Sequence, residues 1–361
     1  MSLPRVINLF QTFPSKTIEA AQDQIELVSV PKEHATSVLT RRAWFKSQLP
    51  GAHAAIIWAE VGKFGKEELD IAGPSLRVVA TYSIGYDHID VDECRKRGVV
   101  VAHTPHKSVA AVANATVMFL LMAMRRAVQL STLVREGEWM GVHNSTSGDP
   151  LAFTGPSVRQ KTVGFYGFGP IAEQVVERLL PMQPSKILYK ASRPRPFNEN
   201  SGRLHQLVTS FYPGTTIANE PDLATLAAQS DVFICLSSLT SETFHSINAE
   251  ILSKMKKTAV LINMARGGIV DTPALVDALQ KDELYCAAVD VLEGEPSIPA
   301  DHPLLDPALK HKVIIFPHTA SAETEPRTDM VELTARNVLT VLGIPMTIGD
   351  ESVKNETYFV S

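Results

Sequence analysis

The residues whose types and spacing can do chemistry sit in three short segments of the last third of the chain. They are Leu261-Ile-Asn-Met-Ala-Arg-Gly-Gly-Ile-Val-Asp271, Asp290-Val-Leu-Glu-Gly-Glu-Pro296 and Phe316-Pro-His-Thr-Ala-Ser321. Each follows a run of β-forming apolar residues and breaks into polar residues, glycine or proline, the pattern of a strand entering a loop. Ligands of an open parallel sheet bind beyond the carboxyl ends of its strands, so Arg266, Asp290, Glu295 and His318 are placed to converge. Their chemistry is complementary. An imidazole donates or accepts a proton near neutral pH, a carboxylate beside it favours the charged ring, and a guanidinium offers a planar fork to an anion. Taken singly each has a structural explanation: a capping arginine, a solvated acid, a hydrogen-bonded histidine. Their joint order argues for a site.

A second signal is Lys161-Thr-Val-Gly-Phe-Tyr-Gly-Phe-Gly-Pro-Ile-Ala172, a β-run ending in Gly167-x-Gly169-x-x-Ala172. An amphipathic pattern follows at Ile171, Val175, Val176, Leu179 and Leu180. Gly167 permits a tight turn, Gly169 lets the backbone approach a pyrophosphate, and Ala172 lets helix and strand pack closely. Phe168 lies between the glycines, and Pro170 pre-sets the first helical turn but removes one N–H, so Ile171 must supply more of the phosphate contact. An NAD site expects Asp or Glu after the next strand. The chain instead has Tyr189-Lys-Ala-Ser-Arg-Pro-Arg195. Arg193, Arg195 and Lys190 suit a 2'-phosphate, with Ser192 beside them in the cofactor turn, so NADP(H) is preferred and NAD(H) is allowed.

The elements that must position these residues read as an α/β chain. Arg5–Leu9, Ile25–Val30, Ala55–Trp58, Leu76–Thr81 and Val99–Ala102 predict short buried strands, with Asp90–Arg97 as an intervening helix. A second series predicts six strands: Thr162–Tyr166, Lys186–Tyr189, Asp231–Leu236, Ala259–Ile262, Ala287–Val291 and Val313–Phe316. The expected fold class is α/β, with two Rossmann-like doubly wound parallel-sheet domains and a cleft between them. Residues 1–107 with 320–361 form one domain of this reading and 108–319 the other. Ser108–Arg126 predicts a long helix packed between them. Trp139–Gly155 reads as a long loop, and Thr328–Leu342 as a helix returning to the first domain. The tail from Thr347 reads as loose.

Composition narrows the function classes. Against 34 Lys and Arg stand 39 Asp and Glu, a net charge of −5 in 361 residues. With no basic block, neither nucleic acid nor a membrane surface is expected as a partner. Cys94, Cys235 and Cys286 lie far apart without a CxxC pair, which fits a reducing cytoplasm and suggests no zinc site. His88, His103 and His106 lack metal-ligand spacing and read as structural, so no metal is expected. The N-terminal apolar run is too short for a signal peptide. The sequons at Asn114, Asn144 and Asn355 read as chance matches without a secretory route.

The three strand-end segments, together with Tyr82-Ser-Ile-Gly-Tyr-Asp-His-Ile-Asp90, resemble the D-2-hydroxyacid dehydrogenase family over roughly residues 50 to 345. Within it they are most similar to glyoxylate/hydroxypyruvate reductases, through Ile187–Pro196, Ala228–Asp231 and Ser238–Thr240. The resemblance implies hydride transfer between NADP(H) or NAD(H) and a small 2-keto or 2-hydroxy acid, in a homodimer with the active site in the cleft. Reduction of a keto acid requires a proton at the carbonyl oxygen and a cation on the carboxylate. His318 would be the acid, Glu295 its partner, and Arg266 the carboxylate fork. The backbone N–H groups of Ile84 and Gly85 would hold the other carboxylate oxygen. Asp290 would contact the nicotinamide end, with Met264 and Ser238 lining it through their backbone. Glu60 would repel a second substrate carboxylate. A larger keto acid, or a dinucleotide-sensing corepressor-like scaffold that keeps the same triad, stays open as an alternative.

Overall fold

The computed structural model describes residues 2–59, 62–139, 149, 151–193, 195–346 and 357–360. Contacts within the chain divide it into two units, Met1–Ser108 with Ala322–Ser361, and Val109–Ser321.

The first unit is built on strands β1 (Arg5–Asn8), β2 (Glu26–Ser29), β3 (Ala54–Ile57), β4 (Val78–Thr81) and β5 (Val100–Ala102). All pair in parallel in the order β2-β1-β3-β4-β5. This is the flavodoxin-like order, reached when right-handed crossovers place helices on both faces of a sheet. The central strands β3 and β4 are buried at every residue, which is why they read as unbroken apolar runs rather than alternating ones. The intervening helices are α1 (Lys16–Ala20), α2 (Val38–Gln48), α3 (Lys66–Ala72) and α4 (Val91–Lys96). The sequence reading marks only α4, whose start is fixed by Asp90 accepting the Glu93 N–H at 3.0 Å. In α2 only Trp44 and Phe45 are buried, too few for a periodic stripe, and α1 spans little more than one turn.

The second unit opens with α5 (Val109–Met124) and α6 (Ala127–Arg135). It continues through β6 (Thr162–Tyr166), α7 (Pro170–Leu179), β7 (Lys186–Lys190), α8 (Gly202–Phe211), β8 (Thr216–Asn219), α9 (Leu223–Gln229) and β9 (Val232–Cys235). It ends with α10 (Ala249–Lys254), β10 (Val260–Asn263), α11 (Thr272–Gln280), β11 (Cys286–Val289) and β12 (Val313–Ile315). The strands form one parallel sheet in the order β12-β11-β10-β9-β6-β7-β8. Six strands are predicted and seven are found. The seventh, β8, is an edge strand with one exposed and three half-buried residues, so burial leaves no apolar run to read. The order reverses between β6 and β9, the switch point where such sheets bind ligands. Apolar cores cover both faces, one around Phe119, Val175 and Leu204, the other around Leu226, Ile251 and Leu275. Each fully buried Leu or Val contributes about 1.5–3 kcal/mol.

The chain returns to the first unit as α12 (Thr324–Leu342). It buries Met330, Leu333, Thr334, Asn337 and Val338 at the helical spacing predicted for it, packs on β3, β4 and β5, and ends at Gly343 with φ 74°. Among the described residues no single helix is long and apolar enough to cross a bilayer.

Candidate functional site

All the predicted cofactor and catalytic residues of the second unit lie just past the carboxyl ends of its strands. Gly167–Ile171 follow β6, Ser192–Arg195 follow β7, Ser238 follows β9, Met264–Arg266 follow β10, Asp290 and Glu295 follow β11, and His318 follows β12. Six separate loops therefore carry these residues, and the sheet fixes the spacing of the loops.

At the β6 turn Gly167 has φ 97°. A Cβ there would meet the backbone of Leu236 and Ser237 at 2.5 Å, so glycine is required by the close approach of the chain leaving β9 as well as by the turn. Gly169 is the N-cap of α7, and nothing lies within 4 Å of where its Cβ would be. Pro170 occupies the first helical turn, and Ala172 is fully buried beneath it. The N-terminus of a helix with open space at its cap is the kind of place that takes a phosphate. Phe168 stacks on Tyr189 with ring centroids 4.1 Å apart. Arg195 is held back against this turn: Nη2 donates to the Phe168 carbonyl at 2.7 Å and to Glu173 Oε1 at 3.1 Å. A cavity of about 220 Å³ lies beside it, lined by Phe168, Glu173, Arg195, Phe197, Asn198 and Leu204 among others. Ser192 and Arg193 are exposed at the end of β7.

On the other side of the switch point, His318 Nδ1 lies 3.0 Å from Glu295 Oε1. With a carboxylate as partner, Nδ1 carries the hydrogen and donates it. His318 sits at φ 53°, a backbone conformation uncommon for non-glycine residues. Hydrogen bonds hold it there. Its N–H donates to the Asp290 carbonyl at 2.7 Å, and the Asp290 carboxylate accepts from the Thr319 and Ala320 N–H groups at 2.8 Å each. Burial pushes the Asp290 carboxyl above the usual range, against the pull of those two amides and of nearby His318. Both oxygens of Asp290 thus serve the backbone that carries His318.

Arg266 is half-buried at the end of β10, its Nη1 donating to the Ala265 carbonyl at 2.8 Å. Asn263, 1% exposed, ties the turn together: Nδ2 donates to the Arg266 carbonyl and Oδ1 accepts from the Ala265 N–H. A Cβ on the next residue, Gly267, would meet the backbone of Leu292 and Glu293 at 2.1 and 2.2 Å. The loop bearing Arg266 therefore lies backbone against backbone on the loop bearing Glu295. Met264 is buried and donates its N–H to Cys235, while Ser238 is exposed and accepts at its carbonyl from Thr243 Oγ1.

In the first unit, Ile84 and Gly85 lie in the loop after β4. His103 Nδ1 lies 2.9 Å from the Ile84 carbonyl, His88 Nε2 lies 3.0 Å from Thr81 Oγ1, and Ser83 Oγ donates to the Gly85 carbonyl at 2.6 Å. Among the described residues no group of three or more His, Cys, Asp and Glu could hold a metal ion. Glu60, Pro194, most of the Trp139–Gly155 loop and residues 347–356 of the tail lie outside the described residues.

One pair escaped the sequence reading. His245 Nε2 lies 2.9 Å from Glu293 Oε1, with the His245 ring stacked on Phe244. Glu293 and Glu295 thus each engage a histidine from a single loop. Glu293 was visible as an acid in Glu-Gly-Glu, but nothing local marked a partner 48 residues away.

Comparison with known proteins gives a consistent result. The NAD-binding domain of the D-isomer specific 2-hydroxyacid dehydrogenases matches residues 117–320. The glyoxylate reductase of Thermofilum pendens is 41% identical over 290 residues, 80% of this chain and 78% of the relative. The human glyoxylate reductase/hydroxypyruvate reductase is 37% identical over 282 residues, 78% of this chain and 79% of the relative. Among solved structures, the NADPH-dependent glyoxylate/hydroxypyruvate reductase of Sinorhizobium meliloti, in complex with NADP and malonate, aligns with a TM-score of 0.74 at 29% identity, covering 94% of each chain.

Proposed function

Since this chain belongs to the D-isomer specific 2-hydroxyacid dehydrogenase family and is an oxidoreductase of that family, we propose that it reduces a small 2-keto acid, glyoxylate or hydroxypyruvate, to the 2-hydroxy acid with NADPH in preference to NADH. The observation that carries the reading is the 3.0 Å contact of His318 Nδ1 with Glu295. It commits one ring nitrogen to the carboxylate and leaves Nε2 to hand a proton to the carbonyl oxygen. Reduced nicotinamide, when bound, supplies the hydride. Arg266 holds the substrate carboxylate and polarises the carbonyl, and the Ile84 and Gly85 N–H groups take its remaining oxygen. Asp290 keeps the loop carrying His318 in place and lines the nicotinamide end with the backbone of Met264 and Ser238. In this reading residues 1–107 with 320–361 serve the keto acid and 108–319 the dinucleotide.

NADPH is favoured because no carboxylate follows β7. Arg195 is engaged by Glu173 and Phe168, so exposed Arg193, with Ser192, carries most of the preference and Arg195 stiffens the turn. Replacing Arg193 and Arg195 by Ser is expected to weaken NADPH by about a hundredfold and NADH by less than threefold, the scale of lost charge-assisted bonds. Cofactor titration by fluorescence checks it, and equal losses for both cofactors reject it. The reaction itself is read from nicotinamide absorbance with glyoxylate, hydroxypyruvate, pyruvate and a bulky 2-keto acid, each with NADPH and NADH. Rapid NADPH oxidation by the two small acids is the expected result. No turnover with any acid despite NADPH binding would favour a dinucleotide-sensing scaffold.

The proposed state is a homodimer in a reducing cytoplasm. Met118, Leu121, Val128 and Val134 are exposed along α5 and α6, supporting burial against a second copy, and light scattering at the dimer mass is expected. Cys94, Cys235 and Cys286 are buried free thiols, the form a reducing compartment maintains.

A further inference from the structure

The loose tail expected from the sequence has a docked segment. Residues 357–360 lie antiparallel on β5, with Phe359 bridging Ala102. The His103 N–H donates to the Tyr358 carbonyl at 3.3 Å, and the Val360 N–H to the Val101 carbonyl at 2.8 Å. β5 is otherwise the edge of the five-stranded sheet, and an edge strand offers unpaired N–H and C=O groups to such a segment.

The receptor for this segment is Asn337 of α12, fully buried. Its Oδ1 accepts the Tyr358 N–H at 3.1 Å, and its Nδ2 donates to the His103 carbonyl at 3.0 Å. One buried amide thus joins the docked segment to the residue after β5. Removing the segment would strand Asn337 Oδ1 without this partner, and a buried unsatisfied acceptor is costly.

His103 carries the connection onward. Its backbone is held from one side by Tyr358 and from the other by Asn337, and its ring lies edge-on to Tyr86 with centroids 5.2 Å apart. Nδ1, opposite a carbonyl, donates to the Ile84 oxygen at 2.9 Å. The peptide joining Ile84 to Gly85 is planar, with its C=O and N–H pointing in opposite directions. Anchoring the Ile84 carbonyl therefore sets the direction of the Gly85 N–H. We propose that residues 357–360 are a positioning segment for the substrate-carboxylate loop, acting through His103 on the Ile84–Gly85 peptide. The inference rests on the reading of Ile84 and Gly85 as carboxylate donors.

Three variants test it: a chain ending at Met346, the full-length Tyr358→Pro, which loses the N–H that Asn337 receives, and His103→Phe, which keeps a ring but cannot donate. Each is expected to raise KM for glyoxylate about fivefold, the scale of one net hydrogen bond, with kcat and NADPH affinity within about twofold of the parent. His103→Phe combined with the truncation is expected to be no worse than either alone. Tyr358→Pro keeps the test open should the truncated chain fail to fold, which circular dichroism reports. If His103→Phe raises KM but both tail variants leave it unchanged, the positioning segment is rejected while the loop reading stands. If all three leave KM unchanged, positioning of the loop through His103 is rejected while the reading of Ile84 and Gly85 as carboxylate donors stands. Independent multiplication of the two effects would reject the route through His103.

Discussion

The His318→Ala protein is expected to turn over glyoxylate about a thousandfold more slowly, within the range that general acid catalysis contributes, while binding NADPH as the parent does. The reason is geometric. The imidazole has one nitrogen 3.0 Å from Glu295 and a backbone fixed by Asp290, so the ring is oriented before any substrate arrives. No other described histidine of the second unit directly follows a strand, and His311 precedes β12 instead. His245 is turned to Glu293, His302 caps a short turn through the Leu304 N–H, and His205 lies on α8. Steady-state kinetics with cofactor fluorescence as control measures the effect. Turnover at the parental rate would reject His318 as the acid.

Arg266→Ala is the second large effect. Kcat/KM for glyoxylate is expected to fall about a thousandfold, because a bidentate guanidinium–carboxylate contact comprises two charge-assisted bonds and leaves a desolvated anion when removed. Arg266→Lys would recover only part of it, since an ammonium lacks the planar fork. The comparison that isolates the role uses a carbonyl substrate without a carboxylate, whose much slower reduction should suffer far less. An equal loss for both substrates would show that Arg266 supports the loop rather than the substrate. That alternative is physically concrete, because Arg266 Nη1 already donates to the Ala265 carbonyl.

How much of this was legible before the structure depended on whether the signal was local. The strand β10 and its exit at Asn263 read clearly because a central strand is apolar throughout and its loop begins abruptly. The glycine turn after β6 read clearly for the same reason. Edge strand β8 did not, since its residues face solvent in part and one edge of the sheet needs no apolar run. Helices α1 to α3 escaped because their burial is confined to a few residues each. For the site, residue types were visible and partnerships were not. Arg195 looked like a phosphate ligand in Arg-Pro-Arg, and only the fold shows its link to Glu173, which depends on α7 lying beside the exit of β7. The docked residues 357–360 were the least legible of all. Their partner strand is far away in sequence, and the amide that receives them, Asn337, looked like one more polar residue in a helical repeat.

The contact at Gly267 has a consequence for how this site can change over time. With no side chain between the backbones of Gly267 and Leu292–Glu293, the loops of Arg266 and Glu295 behave as one part. A mutation that shifts either loop to admit a bulkier acid would drag the other, so substitutions on the two loops should show strong epistasis and be inherited together. The Ser192–Arg195 turn after β7 has no such coupling to them among the described contacts. On the proposed roles, coenzyme choice is therefore free to drift by single steps, whereas the groups proposed for proton transfer and anion binding can be remodelled only in concert.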